Sequence, residues 1–269
     1  MRRMVRSNGR DGSDIATPLP RPVRLLTRDG VRIEAAYEAG IGASASDGLA
    51  IVVAHGFTGG WRQLAVRRVT RWLRSYAAVL SFDFRGHGRS AGLSTVGDRE
   101  ILDVDAVVRW ARLLGYPRVA SVGWSMGAAV AVRHAAIERT VDAVVSVSGP
   151  AHWYYRGTRP TARAHWAFER PHGRTLLRYG YRTRVDARHW DASRPETWPI
   201  TPREAAVKIA PIPYLVVHGD RDAYFPPYHG RQLAAPGSEF WEERGFGHAE
   251  GAASRDLVDR IGAWVVGHT

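Results

Sequence analysis

Cysteine is absent from this 269-residue chain. Disulfides, thiolate metal sites and a cysteine nucleophile are thereby excluded. The absence fits a reducing compartment, and a cytoplasmic location is the expectation, although a secreted chain without cysteine fits nearly as well. Lysine is almost missing too. Lys208 is the only one, and arginine supplies the rest of a formal net charge of +12. No run approaches the roughly 18 consecutive apolar residues that a membrane span needs. The opening stretch MRRMVRSNGRDGSDIATPLPRP lacks the apolar segment of a signal peptide, and residues 1–20 read as a flexible basic tail. No cluster has metal-ligand spacing, so neither a metal nor a cofactor is expected.

What is present suits a globular protein. A hydrophobic fraction of 45% and a charged fraction of 24% are enough for one well-buried core. The positive charge has two readings. It is either an arginine bias spread over solvated faces, or an attraction for anionic partners such as acidic substrates, lipid head groups or nucleic acid. Charge alone does not choose between them.

Apolar runs alternate with helical patterns. Strands are expected at Val23–Leu26, Val31–Tyr37, Leu49–Ala54, Val79–Phe82, Val119–Val122, Val141–Val147, Pro213–His218 and Ser238–Glu242. Helices are expected at Arg62–Ser75, with Arg67, Arg71 and Arg74 on one face, and at Glu100–Leu114, Met126–Ile137 and Arg255–Val266. Leu49–Ala54 is apolar throughout, as a strand covered on both faces should be. The alternation predicts an α/β fold: a mostly parallel sheet of about eight strands with helices on both faces. The core is expected over 21–150 and 207–269. The segment 151–206 breaks the rhythm and is too long for a loop in a compact domain. It reads as an inserted, largely helical cap.

The strongest chemical signal is Gly123-Trp124-Ser125-Met126-Gly127, a GxSxG pattern between an expected strand and an expected helix. A serine on so sharp a turn is held in strain, with its hydroxyl projecting above the sheet edge. Gly123 and Gly127 are needed because side chains there would strike neighbouring backbone. Serine alone is a weak nucleophile and needs a base and an orienting carboxylate. Two later strands are followed by suitable groups: Gly219-Asp220-Arg221-Asp222, and Gly245-Phe246-Gly247-His248. Among the histidines, His248 alone follows the last strand in a glycine-rich loop. His134 sits in a helix, His165, His172 and His189 in the cap segment, and His55 and His87 in other loops. His218 ends a strand and suits a supporting role beside the acid.

These residues resemble the α/β-hydrolase superfamily, nearest its lysophospholipase/monoacylglycerol-lipase-like and S33-type branches, from about Val23 to the C-terminus with the cap excepted. The resemblance implies Asp222 as the acid, since the family acid ends a GxxD pattern often followed four residues on by proline, here Pro226. Asp220 is the alternative, with a turn-holding role otherwise. His55-Gly56-Phe57 resembles the family's oxyanion motif, which implies that the backbone N–H groups of Phe57 and Met126 hold the oxyanion. Asp83–Ser90 resembles the loop after the next strand. Its Gly86-His87-Gly88-Arg89-Ser90-Ala91 also mimics a dinucleotide fingerprint, but after the wrong strand and without a helix opening at its end.

The cap segment is unusual in charge. Between Ala151 and Pro195 it holds ten arginines against Glu169, Asp186 and Asp191, interleaved with aromatics. Trp153, Tyr154 and Trp166 are candidates to line an acyl pocket with a basic rim, which would favour anionic esters or peripheral contact with anionic lipid. The expected activity is hydrolysis of a carboxylic ester, lipid-like or small. Thioesters, amides, peptides, perhydrolysis and C–C cleavage are open on the same residues. Serine at the elbow argues against haloalkane dehalogenation. The partner expected is a small acyl substrate rather than nucleic acid. The rival from another class is a non-catalytic basic binding protein for anionic ligands.

Overall fold

The computed structural model describes residues 20–42, 45–189 and 198–269. Apart from Pro20, the tail expected over 1–20 lies outside the described residues, as do Trp190, Asp191 and Arg194. The chain opens with a hairpin of β1 (Pro22–Leu26) and β2 (Arg32–Glu38). Its turn is closed by Gly30 N–H donating to the Thr27 carbonyl at 3.0 Å. Then β3 (Leu49–Ala54), α1 (Leu64–Leu73), β4 (Ala78–Phe82), α2 (Ile101–Leu113), β5 (Arg118–Trp124), α3 (Met126–Ile137) and β6 (Ala143–Val147) alternate. After β6 come α4 (Arg159–Glu169), α5 (Pro171–Gly180) and α6 (Pro202–Ala206). The chain ends with β7 (Tyr214–Gly219), α7 (Tyr228–Leu233), β8 (Glu239–Glu243), α8 (Ala249–Ala252) and α9 (Arg255–Gly267).

The eight strands form one sheet in the order β1-β2-β4-β3-β5-β6-β7-β8. The pairs from β4 to β8 are parallel, while β1 and β2 run antiparallel at one edge. The core is two-sided because strand side chains alternate between faces. In β3, Ala50, Val52 and Ala54 pack towards α2, α3 and α6, whereas Leu49, Ile51 and Val53 pack towards α1 and α9. That is why the strand is apolar at every position. The winding direction reverses between β3 and β5, and their ends are in register, Ala54 beside Gly123. Loops leaving the two strands diverge to opposite faces there and open a crevice at the carboxyl ends.

Three features differ from expectation. Helix α1 is shorter than 62–75, because Gln63 is an extended cap whose N–H donates back to the Gly60 carbonyl. Its arginine face is also not simply solvated, since Arg67 and Arg74 both bind the buried Glu38 of β2. The short α7 and α8, of six and four residues, show no helical period that a sequence pattern could reveal.

In the segment 151–206, α4 and α5 meet at Arg170, whose extended backbone ends one helix and precedes Pro171 of the next. Extended geometry is what a residue before proline prefers, so the two helices fold sharply against each other. Residues 182–186 are stitched to the loop after β4. Gly88 N–H donates to Arg182 O at 3.0 Å, Arg184 N–H to Gly86 O at 2.7 Å, and Ser94 N–H to Arg184 O at 2.8 Å. Gly86 and His87 N–H groups donate to Ala91 O and Phe84 O. The amides of the stretch resembling a dinucleotide fingerprint are therefore engaged within the fold.

Candidate active site

Ser125 sits where β5 turns into α3. Its backbone is forced to φ 52°, ψ −116°, a region that costs a non-glycine residue about 1–3 kcal/mol. The packing around the turn enforces this. A Cβ on Gly123 would lie 2.3 Å from Gly127 O, and one on Gly127 would lie 2.2 Å from Ala54 O, so only glycine permits so tight a turn. Ser125 N–H donates to Val147 O at 2.9 Å and pins the turn to β6. Met126 is the first residue of α3, and its N–H has no acceptor within the helix.

His248 follows β8, and its Nε2 lies 2.9 Å from Ser125 Oγ. Its Nδ1 lies 2.8 Å from Asp222 Oδ2. A carboxylate can only accept, so Nδ1 carries the proton and Nε2 is free to accept from the serine hydroxyl. Asp222, in the loop after β7, is buried. Its Oδ1 accepts the Tyr224 and Phe225 N–H groups at 2.8 and 2.9 Å. Asp220 does something else: its Oδ1 accepts Gly245 N–H at 2.6 Å and ties the two loops together. His218 Nε2 donates to Phe225 O at 2.8 Å and supports the acid loop. The Tyr224 ring stacks on the His248 imidazole with centroids 4.3 Å apart.

The loop after β3 is held by two neutral histidines and a buried carboxyl. His55 Nε2 accepts Phe84 N–H at 3.2 Å, which leaves Nδ1–H to donate to Gly56 O at 2.7 Å. Full burial holds His55 down at about 4. His87 is held down at about 3 by burial and by the nearby His55; its Nε2 accepts Thr58 N–H at 3.4 Å. Asp83 accepts Trp61 N–H and Arg89 N–H, and burial pushes it up to about 6.

A cavity of about 630 Å³ opens over Ser125 and His248, lined also by Gly56, Phe57 and Met126. That is room for a small-molecule ligand. Trp153, Tyr154 and Trp166 all line it. Helices α4 and α5 supply much of the wall, including Phe168 and Leu177, with Arg163 at the exposed edge. Among the described residues no group of acids and histidines could hold a metal ion, and no helix is long and apolar enough to cross a membrane.

Two lining residues escape a reading of the sequence. Tyr224 stands in a loop with no periodicity, and Glu250 lies two residues beyond His248 with no motif to mark it. Glu250 is buried and accepts Gly56 N–H at 2.7 Å.

Comparison with known proteins identifies the family and the fold. The model of an alpha/beta hydrolase family matches residues 51–268. No curated protein matches the chain significantly. Among solved structures, the Pyrococcus furiosus esterase Pf2001 is 25% identical, with 91% of each chain covered and a TM-score of 0.67. Est1E from Butyrivibrio proteoclasticus, with ferulic acid bound, is 19% identical over 91% of this chain and 99% of that one, at a TM-score of 0.64. XC6422 from Xanthomonas campestris, described as a serine hydrolase without a lid, is 18% identical over 93% of each chain, at a TM-score of 0.59.

Proposed function

The chain belongs to the alpha/beta hydrolase family, and on that premise we propose that it is a serine hydrolase cleaving a carboxylic ester through an acyl-enzyme on Ser125. The observation that carries the reading is the unbroken relay from Asp222 Oδ2 to His248 Nδ1 and from His248 Nε2 to Ser125 Oγ, at 2.8 and 2.9 Å, at the floor of an open cavity. Ser125 Oγ attacks the ester carbonyl carbon while His248 Nε2 takes the hydroxyl proton. The carbonyl electrons move to oxygen, and the oxyanion is met by the N–H groups of Phe57 and Met126, each worth about 3–4 kcal/mol in the transition state. Asp222 holds the tautomer and stabilises the imidazolium. Collapse of the intermediate expels the alcohol, which takes the proton from His248. Water, activated by the same imidazole, then releases the acid and restores the serine.

The aromatic wall favours an apolar or aromatic acyl group, and on this basis α4–α5 is the cap of the site. The lysophospholipase- or monoacylglycerol-lipase-like reading belongs to this proposal, supported by the apolar lining. Arg163, at the exposed edge of the cavity, adds a positive charge suited to anionic esters.

Hydrolysis of p-nitrophenyl esters of graded chain length, with Ser125→Ala as control, tests the proposal. Wild type should turn over with a chain-length optimum and be labelled by a fluorophosphonate. Ser125→Ala should lose the label and all but about one millionth of kcat. Anionic and neutral esters of one size, compared at low salt, read the rim. Absence of labelling, together with salt-dependent binding of oligonucleotides, would favour the binding-protein reading instead.

A further inference from the structure

We propose that Glu250 is a positioning residue for the oxyanion-binding loop, clamping the peptide before Gly56 so that Phe57 N–H faces the reacting carbonyl; this rests on the serine-hydrolase reading above. Gly56 has no Cβ and therefore little intrinsic preference for one backbone conformation. Two planar peptides meet at its Cα. The following one, which carries Phe57 N–H, is held on its carbonyl side by His55 Nδ1–H donating to Gly56 O at 2.7 Å. The preceding one is held by Gly56 N–H donating to Glu250 Oε1 at 2.7 Å. With both planes fixed, the direction of Phe57 N–H is fixed as well. Releasing either clamp turns Gly56 into a hinge.

The carboxyl also lies close to the nucleophile. A Cβ on Gly56 would lie 3.3 Å from Ser125 Cβ and 3.4 Å from Glu250 Oε2. The carboxyl is thus beside the nucleophile, yet its hydrogen bond goes to the loop. Its own backbone is anchored independently. Arg68 of α1 donates to Glu250 O at 3.0 Å and Gly251 O at 3.2 Å. Ala249, at φ 52°, turns the chain after His248, and its N–H donates to Ser148 Oγ at 3.1 Å. One short stretch therefore delivers both the base and the clamp, so the imidazole and the oxyanion loop are set by the same backbone. Burial raises the Glu250 carboxyl above its ordinary value, while the Gly56 N–H opposes this.

The test compares Glu250→Ala and Glu250→Gln with wild type in ester hydrolysis, each normalised to the fraction of chain labelled to completion by a fluorophosphonate. Glutamine keeps an acceptor oxygen of the same reach. Glu250→Ala should lower kcat about 10- to 100-fold with KM within threefold, and weaken a trifluoromethyl ketone, whose adduct carries an oxyanion, by the same factor. Glu250→Gln should restore kcat to within about fivefold. Amide exchange at Gly56 should quicken in the alanine variant and not in the glutamine variant, a readout independent of turnover. Unchanged kcat in a folded, fully labelled Glu250→Ala would overturn this role alone. A fall in kcat that glutamine does not restore would overturn it too, since it would need the carboxyl rather than the clamp. An inactive, unlabelled wild type would overturn the serine-hydrolase reading and this role with it.

Discussion

Asp222 makes its two oxygens unequal, and this determines what a conservative change would do. Oδ1 already accepts two backbone N–H groups, from Tyr224 and Phe225, while Oδ2 faces His248. In Asp222→Asn the amide oxygen must occupy the Oδ1 position, because an NH₂ there would face two donors. The NH₂ is then turned towards His248 Nδ1, which becomes an acceptor, and the ring proton moves to Nε2. An imidazole protonated at Nε2 cannot accept from Ser125. We expect kcat to fall about 10³- to 10⁴-fold with KM little changed, as read by steady-state ester hydrolysis. A loss below tenfold would remove Asp222 from the mechanism.

Helix α4 is joined to the loop after β7 through Thr158. Thr158 is its N-cap, and the Thr158 and Thr161 side chains form a capping box. The Thr158 hydroxyl also donates to Tyr224 O at 2.9 Å, two residues beyond Asp222. Thr158→Ala removes both functions. It should cost about 1 kcal/mol, lowering Tm by roughly 2–4 °C for a chain of this size. It should also raise KM, because the α4 wall of the cavity loses its tie to the site. Thr158→Ser should preserve both. Thermal melts and ester kinetics on the two variants check this, and an alanine variant indistinguishable from wild type in both would refute the link. The bounds of such elements are hard to read from sequence. Helix α5 exposes Leu176 and Tyr179, so its apolar residues do not all line up on one buried face.

Taken whole, the molecule stores neutral histidines. Burial holds His55 and His229 at about 4 and His87 and His134 at about 3, all well below the ordinary value for the side chain. A depressed native value means that the unfolded chain binds protons first as pH falls, so stability is lost on the acid side. The window runs from about 6.5 down to the native values near 4 for His55 and His229 and near 3 for His87 and His134, at roughly 1.4 kcal/mol per pH unit for each histidine. Asp83, pushed up to about 6 by burial, acts in the opposite sense: its contribution is present at low pH and lost as pH rises from about 4 to 6. Asp103, pushed up to about 7 by burial, acts in the same sense as Asp83, and burial raises Asp105 and Glu250 as well, but the four imidazoles together outweigh these carboxyls. Denaturant melts should therefore show stability falling by several kcal/mol between pH 6.5 and 4.5; a flat or rising profile would contradict it.

The alternation of strands and helices is legible along the chain, because parallel strands buried on both faces must be apolar at every position, as Leu49–Ala54 is. The sequence also singled out Ser125, since glycines two residues either side of a serine, between a strand and a helix, answer a steric demand that is local along the chain. It ranked Asp222 over Asp220 and His248 over its competitors only by chain order and family pattern. What separates the two aspartates physically is their surroundings: one carboxyl meets an imidazole and the other meets Gly245 N–H. Folding is what sets Glu250 against Gly56, 194 residues away in the chain, lays Tyr224 over His248, and fastens residues 182–186 to the loop after β4. Such pairings depend on where the sheet brings distant loops together, and no periodicity or spacing along one strand of sequence encodes a contact between loops that meet only when the sheet has formed.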